Sequence, residues 1–327
     1  MTRLSHMGLL LVVACSRNEL PNAVGATASA VEADLIEVRS LADELVTKVG
    51  NVYSQLDRLD LSVDHMDADR GGTFVAFKDN AYYVSNNAQG ASYYVSPNRL
   101  VDDELRRHVK VLTYLDPLIA TAWKRSTIWR TVFFGTNKPY SLAVFYPRTD
   151  VSSLFPPGLQ FGQFEWFQRG EQSTERAKWS LQPFTDLTAR WVMDVSRGVK
   201  VQNALKGVVV INVTMDELSR RHFRKQSRPM WLLGADLSVV CASPPANEAL
   251  QLPVLVDPDL LQQRSQNARV ANLFKLSDGT QEAGVRRLAA RVTKGEIDFR
   301  ETVKGKSYRF VVRSVPEVGF RVVGAQP

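Results

Sequence analysis

The stretch FGQFEWFQRGEQSTERAKWSLQPFTDLTARWVMDVSRGVKVQNALKGVVVINVTMDEL, residues Phe161–Leu218, decides how this chain is read. It holds three of the six tryptophans, Trp166, Trp179 and Trp191, and a Pro-Phe-x-Asp unit at Pro183, Phe184 and Asp186. It closes on an apolar run, Val208–Val213, that leads into Asp216, Glu217 and Leu218. Aromatic walls alternating with a few isolated polar groups are the composition of a small-molecule pocket rather than of a catalytic centre.

Outward from this stretch, length and composition set the bounds. The chain has 327 residues, of which 44% are hydrophobic. That suffices for about two domains on the usual scale of roughly 100–200 residues each. The net charge of +7 is spread over scattered basic residues, except for Arg220–Arg228 (RRHFRKQSR). A basic run of this length reads as a solvated helix end, and no nucleic-acid partner is expected.

The N-terminus carries Arg3, a short apolar core at Met7–Val13, and the ending Val12-Val13-Ala14-Cys15. A short apolar segment behind a positive residue reads as a secretion signal, too short to span a bilayer. Its ending resembles the bacterial lipobox, in which the cysteine is lipidated; an ordinary signal with an incidental Cys15 is the alternative. Ser16 follows, with no aspartate to mark inner-membrane retention. With Cys15 acylated only Cys241 remains, in a strand-like apolar run, and a buried inert thiol is expected there.

Residues 16–30 are small and polar and read as a flexible tether. From Val31 the pattern changes. Val31, Leu35, Val38, Ala42, Leu45, Val49, Val52, Leu56, Leu59 and Val63 are spaced alternately four and three apart. Such a stripe specifies a helix roughly 50 Å long, packed on the protein's own sheets, on a second copy, or partly on both. Asp64–Gly72 lacks the spaced oxygen ligands of a calcium loop and reads as a polar helix end and turn. Beyond it, Phe74–Phe77, Ala81–Val84, Ser126–Phe134 and Ser141–Phe145 are strand-like, and Asp102–Ile119 is helical. Pro229–Ala242 reads as two strands around a turn at Gly234–Asp236. Leu260–Ala271 and Gly284–Ala290 are helical, and Ser307–Ser314 and Phe320–Val323 are closing strands.

This order resembles a double Cache (dCache) extracellular sensor domain over residues 31–325. In that family the distal module carries a Trp-Tyr pair, a Trp-Ser turn, a Pro-Tyr-x-Asp unit and a Gly-Val-Val-Gly-x-Asp strand before a helix start. Here these positions hold Trp166-Phe167, Trp179-Ser180, Pro183-Phe184-Thr185-Asp186 and Gly207–Asn212 before Asp216. Trp231–Ser243 resembles the strand–turn–strand opening of the second module, and Val318–Val323 its last strand. The resemblance implies an α+β fold: a long N-terminal helix followed by two PAS-like α/β modules with antiparallel sheets. The expected parts are a lipoprotein signal peptide (1–15), the tether (16–30), the long helix (31–70), a membrane-distal, ligand-binding module (71–225) and a membrane-proximal module (226–327).

Departures from the family pattern bear on the ligand. Amino-acid-binding Cache domains place an Arg two residues before the Trp for the ligand carboxylate, and a second Asp for its ammonium. This chain has Phe164 and Asn212 at those positions, and Phe167 and Phe184 lack the tyrosine hydroxyls. A guanidinium clamps a carboxylate bidentately and a phenyl ring cannot. The resemblance therefore implies a pocket of Phe164, Trp166, Phe167, Phe184, Asp186 and Asn212, with Asp194 adding charge. Such a pocket suits an amine or other hydrogen-bond donor over an α-amino acid. The competing reading is that Asp186 binds loop amides and the aromatics fill a core.

The four histidines are far apart in sequence, and no nucleophile elbow, phosphate loop or metal-spaced cluster occurs. Neither an enzyme activity nor a cofactor or metal is expected. Two functions follow: a lipid-anchored periplasmic small-molecule sensor, on the outer membrane by preference, that signals through a separate transmembrane partner; or a non-catalytic scaffold lipoprotein with a degenerate, ligand-free Cache fold. A homodimer through residues 31–63 is compatible with both.

Overall fold

The computed structural model describes residues 4–63, 74–76, 83–85, 91–96, 102–125, 128–147, 158–173, 175–185, 190–250, 252, 254–255, 275–278 and 281–327. Among them are six α-helices and fourteen strands, an α+β architecture with two antiparallel sheets. By contact, residues 37–180 and 192–214 form a first compact unit, and residues 1–36, 181–191 and 215–327 a second.

Helix α1 runs from Leu4 to Tyr53. Leu20, Val24, Ala28, Val31, Leu35, Val38, Ala42, Leu45 and Val49 are all buried along it. The expected tether over 16–30 is thereby corrected to helix. Its alanines are strong helix formers, and Leu20, Val24 and Thr27 carry the four-and-three spacing upstream of Val31. At the other end the helix stops well short of 70, with a single 3-10 turn at Leu56–Arg58. Local bonds compete with the helix there: Ser54 Oγ donates to the Asn51 carbonyl at 2.9 Å, and Ser62 N–H to Asp60 Oδ1 at 3.0 Å. From Val31 to Val49 the stripe is buried inside the chain, whereas Val52, Leu56, Leu59 and Val63 are only partly buried. Residues 64–72, with their expected polar turn, lie outside the described residues.

The chain continues through β1 (Phe74–Ala76), β2 (Tyr83–Ser85), β3 (Ser92–Ser96), α2 (Asp103–Trp123), β4 (Trp129–Gly135), β5 (Ser141–Tyr146), α3 (Glu165–Gln172), β6 (Lys178–Trp179), β7 (Phe184–Thr185), β8 (Trp191–Val201) and β9 (Ala204–Thr214). The first sheet runs in the order β1-β2-β3-β5-β4-β9-β8-β6. Strand β3 escapes the sequence pattern because all five of its residues are buried, leaving no period of two to see. Asp102 caps α2 by accepting the Leu105 N–H at 2.9 Å, and Leu105, Val109, Leu112, Leu115 and Ile119 are buried beneath it. The β8–β9 hairpin turns through Gln202 and Asn203, both at positive φ (51° and 63°), as a two-residue hairpin turn of matching twist requires.

In the second unit α4 (Met215–His222), β10 (Met230–Leu233), β11 (Val239–Ala242), α5 (Pro244–Leu250), α6 (Ala283–Thr293), β12 (Asp298–Val303), β13 (Lys306–Val315) and β14 (Phe320–Gln326) follow. The sheet order is β11-β10-β14-β13-β12. Strand residues alternate faces. Val323 and Ala325 pack with Val285, Leu288 and Val292 of α6. Gly324 points the other way, onto α1: a Cβ there would lie 2.3 Å from Val24 Cγ2. The expected module boundary at 225 shifts, because α4 belongs to this unit. Met215 and Leu218 are buried, and the Cys241 thiol donates to the Met215 carbonyl at 3.4 Å. Burial raises the pKa of that thiol. The expected helix at Leu260–Ala271 lies outside the described residues.

Candidate functional site

Strand β9 builds the site. Its alternate residues Val208 and Val210 join a cluster with Tyr94, Phe133, Phe145, Phe161 and Phe167, with Leu159, Phe164, Trp166 and Leu205 partly buried against it. Asn212 shares their parity and therefore their face. Asp194 of β8 lies directly opposite Asn212 in the ladder, so it stands on that face too.

The aromatic part is packed. Trp166 meets Phe133 edge-on at 5.2 Å between centroids, Phe161 at 5.4 Å and Phe167 at 5.5 Å, and stacks on Phe164 at 6.1 Å. A Cβ on Gly135 would lie 3.1 Å from Trp166 Cη2, so the indole rests on the β4 backbone. Each such aromatic pair contributes about 0.5–1.5 kcal/mol beyond its buried area.

The polar part is paired from within. Arg169, on α3, reaches Asp194 Oδ1 with Nη2 at 2.5 Å, and its Nη1 lies 3.2 Å from Glu165 Oε1. The Asp194 side chain is 1% exposed and that of Arg169 13%. Burial pushes the Asp194 carboxyl up to about 6, against the opposing pull of the Arg169 charge and a hydrogen bond from Ser180. Two glycines allow this closeness. A Cβ on Gly170 would stand 2.2 Å from Val208 Cγ1, and one on Gly198 would stand 2.8 Å from the Gly170 carbonyl oxygen. Helix α3 thus lies on the bare backbone of β8. On this side of the sheet, Arg169 Nε and Ser196 Oγ are buried without a hydrogen-bond partner among the described residues.

Of the residues singled out from sequence, Phe164, Trp166, Phe167, Asp194 and Asn212 come together on one face of the first sheet. Phe184 belongs to the second unit and is 38% exposed. Asp186 lies outside the described residues. Asp194, expected to add charge to the pocket, is half of an internal ion pair with Arg169. The sequence reading missed Arg169, because the family's cation precedes the tryptophan, whereas Arg169 sits one helical turn after it.

The arginines of the basic run are also paired: Arg220 with Glu217, Arg221 with Asp34 at 3.0 Å, Arg224 with Asp216 at 2.5 Å, and Arg228 with Glu19. Asp34 also meets His222 Nε2 at 2.7 Å. Among the described residues no group of three or more His, Cys, Asp or Glu is placed to hold a metal ion. Among the same residues, no helix is long and apolar enough to cross a membrane.

No family model matches this sequence, and no curated protein does either. Solved structures do match. The sensory domain of the Campylobacter jejuni chemoreceptor Tlp3 is 12% identical, with a TM-score of 0.55 over 97% of this chain and 95% of that one. The ligand-binding domain of the same receptor in complex with L-valine gives 12% and 0.55, over 97% and 94% of the two chains. The ligand-binding domain of the Pseudomonas fluorescens chemoreceptor CtaA in complex with L-alanine gives 12% and 0.52, over 94% and 95%. The fold of this chain is that of the double-Cache sensory domains.

Proposed function

We propose, with the double-Cache fold as the premise, that this chain is a small-molecule sensory module. In this reading it is anchored in the periplasm through a lipid on Cys15, on the outer membrane by preference, and it signals through a separate transmembrane partner. The observation that carries the sensing role is the near-complete overlap with chemoreceptor sensory domains. The unpartnered Arg169 Nε and Ser196 Oγ add support, since buried polar atoms left without partners mark places where water or a ligand binds. No chemical step is assigned to the module.

The ligand class follows from what the face lacks. The position that would clamp a carboxylate holds Phe164, and Asp194 is already neutralised by Arg169. Asp186, with Phe184 beside it in sequence, is the carboxylate left for an amine or another hydrogen-bond donor. A ligand shifts a sensor only through unequal affinity for its two states. A thermal-shift screen of amines, organic acids, purines and α-amino acids against the mature chain tests the reading. An amine hit that is lost in Asp186→Ala supports it, and a flat screen sinks it.

One observation favours a second reading, a ligand-free scaffold in an envelope assembly. The aromatic cluster is closed by Trp166 lying on Gly135, and its buried charge is met internally. A flat screen would select this reading.

A further inference from the structure

A cleft lies in the first unit, with a volume of about 290 Å³. Its walls come from four places: Tyr53 and Leu56 at the end of α1, Glu104, Arg107 and His108 on α2, Lys138 beside the β4–β5 turn, and Leu205 and Lys206 at the start of β9. None of the candidate ligand residues lines it, and Leu205 is a neighbour common to it and the aromatic cluster. Tyr53 packs on Phe134 at 5.8 Å, and Phe134 is the strand neighbour of Phe133. Adjacent strand residues face opposite ways, so the cleft opens on the opposite side of the sheet from Trp166.

Its lining carries three cations against one carboxylate. Arg107, Lys138 and Lys206 make no ion pair among the described residues, and Glu104 is the one carboxylate among the lining residues. Burial lowers the pKa of His108, so its ring counts as neutral near pH 7. Its apolar lining includes Leu56, Val111 and Leu205. Tyr53 also carries a hydroxyl. It makes no hydrogen bond among the described residues, and burial raises its pKa, so it remains a protonated donor. Gly207 fixes one wall: a Cβ there would lie 2.4 Å from Phe134 Cζ and 2.5 Å from the Gly135 carbonyl oxygen, so β9 passes close against β4 just beyond Lys206.

Unpaired cations and an unpaired hydroxyl donor beside an apolar lining are complementary to an oxyanion with a short hydrocarbon part. We infer that this cleft binds a small organic anion, its carboxylate or phosphate held by Arg107, Lys138, Lys206 and the Tyr53 hydroxyl, and its apolar part against Leu56 and Leu205. The site shares Leu205 with the Trp166 cluster and otherwise draws on different residues.

The test is an amide-resolved NMR titration of the mature chain with butyrate, butyl phosphate, butylamine and butanol. Butyrate, butyl phosphate or both should shift residues 136–138 and 204–207 saturably. Arg107→Ala with Lys206→Ala should weaken that binding at least tenfold, and Tyr53→Phe severalfold. Arg107 is exposed and Lys206 partly so, so the double variant should keep its fold, which the rest of the spectrum reports. Lys138→Glu, at an exposed site, gives a second check with the same expected weakening. A preference between butyrate and butyl phosphate identifies which oxyanion the site takes. Butylamine or butanol binding as tightly as the anions overturns the inference. So does the absence of saturable shifts, or anion shifts that map to 164–169 and 192–196 instead.

Discussion

Arg169 Nη2 stands 2.5 Å from Asp194 Oδ1, an ion pair between α3 and β8 on the face that also carries Asn212. Buried pairs of this kind cost most when only one partner is removed. Arg169→Met and Asp194→Leu should each lower the unfolding free energy by about 3–5 kcal/mol, and the double variant should recover most of the loss. Urea unfolding of the four proteins measures the cycle. Losses that simply add would show that the two charges do not depend on each other.

The same pair sets a pH dependence. Asp194 has an ordinary value of 3.8 and a folded value of about 6, raised by burial. The folded chain therefore holds this proton more tightly than the unfolded chain does. The contribution to stability is fully present below pH 3.8 and is lost as pH rises through about 6. The loss amounts to about 3 kcal/mol at most. The stability difference between the natural chain and Asp194→Asn should fall between pH 4 and pH 6.5 and level off above it. A difference that grows over that range would mean that the Arg169 charge outweighs burial.

Gly170 is expected to be intolerant of any side chain. Its Cβ would meet Val208 Cγ1 at 2.2 Å, in a sheet that cannot retreat. Gly170→Ala should cost about 1–3 kcal/mol through overpacking, despite the better helix propensity of alanine. Moving α3 outward should also weaken the Arg169–Asp194 contact. Thermal melts, together with the pH profile of the variant, check both effects.

Leu20 and Val24 separate a tether from a structural helix. Both are 0% exposed. Leu20→Ala should cost about 2–5 kcal/mol, where a tether would lose nothing. Removing residues 1–30 should leave the second sheet poorly protected in hydrogen exchange while the first sheet retains its protection.

The sequence was informative wherever burial is one-sided. The α1 stripe, the α2 face and the Gly234–Asp236 turn are periodic or carry turn chemistry, and they were legible. Asp236 shows why: its Oδ1 accepts the Ser238 N–H at 3.1 Å and the hydroxyl at 2.7 Å, bonds between residues two apart. Strand β3 was missed because both its faces are covered, which erases the alternation. Residues 16–30 were misread because small residues suit a linker and a close-packed helix equally well. Their partners, Gly324 and Met230, lie some 200–300 residues away. Phe164, Trp166 and Phe167 of the aromatic face stand together in the sequence and were legible, whereas Tyr94, Phe133 and Phe145 reach it from distant strands and were not. The ion pair was not legible either, since nothing local to Arg169 announces a carboxylate on a strand that begins beyond two further strands.

The contact between Val24 and Gly324 has a consequence for the order of events during synthesis. The first unit, 37–180 with 192–214, is complete once residue 214 has left the ribosome. The face of Leu20 and Val24 must wait until β14, which ends at Gln326, has been made. Through most of translation the amino-terminal helix is thus an apolar surface with its partner unborn, the situation in which holdase chaperones engage nascent chains. Ribosome-bound chains halted near residue 300 should be cleaved readily around Leu20 by added protease, and released full-length chains should resist. Equal resistance in both would show that the helix finds shelter before its strand arrives.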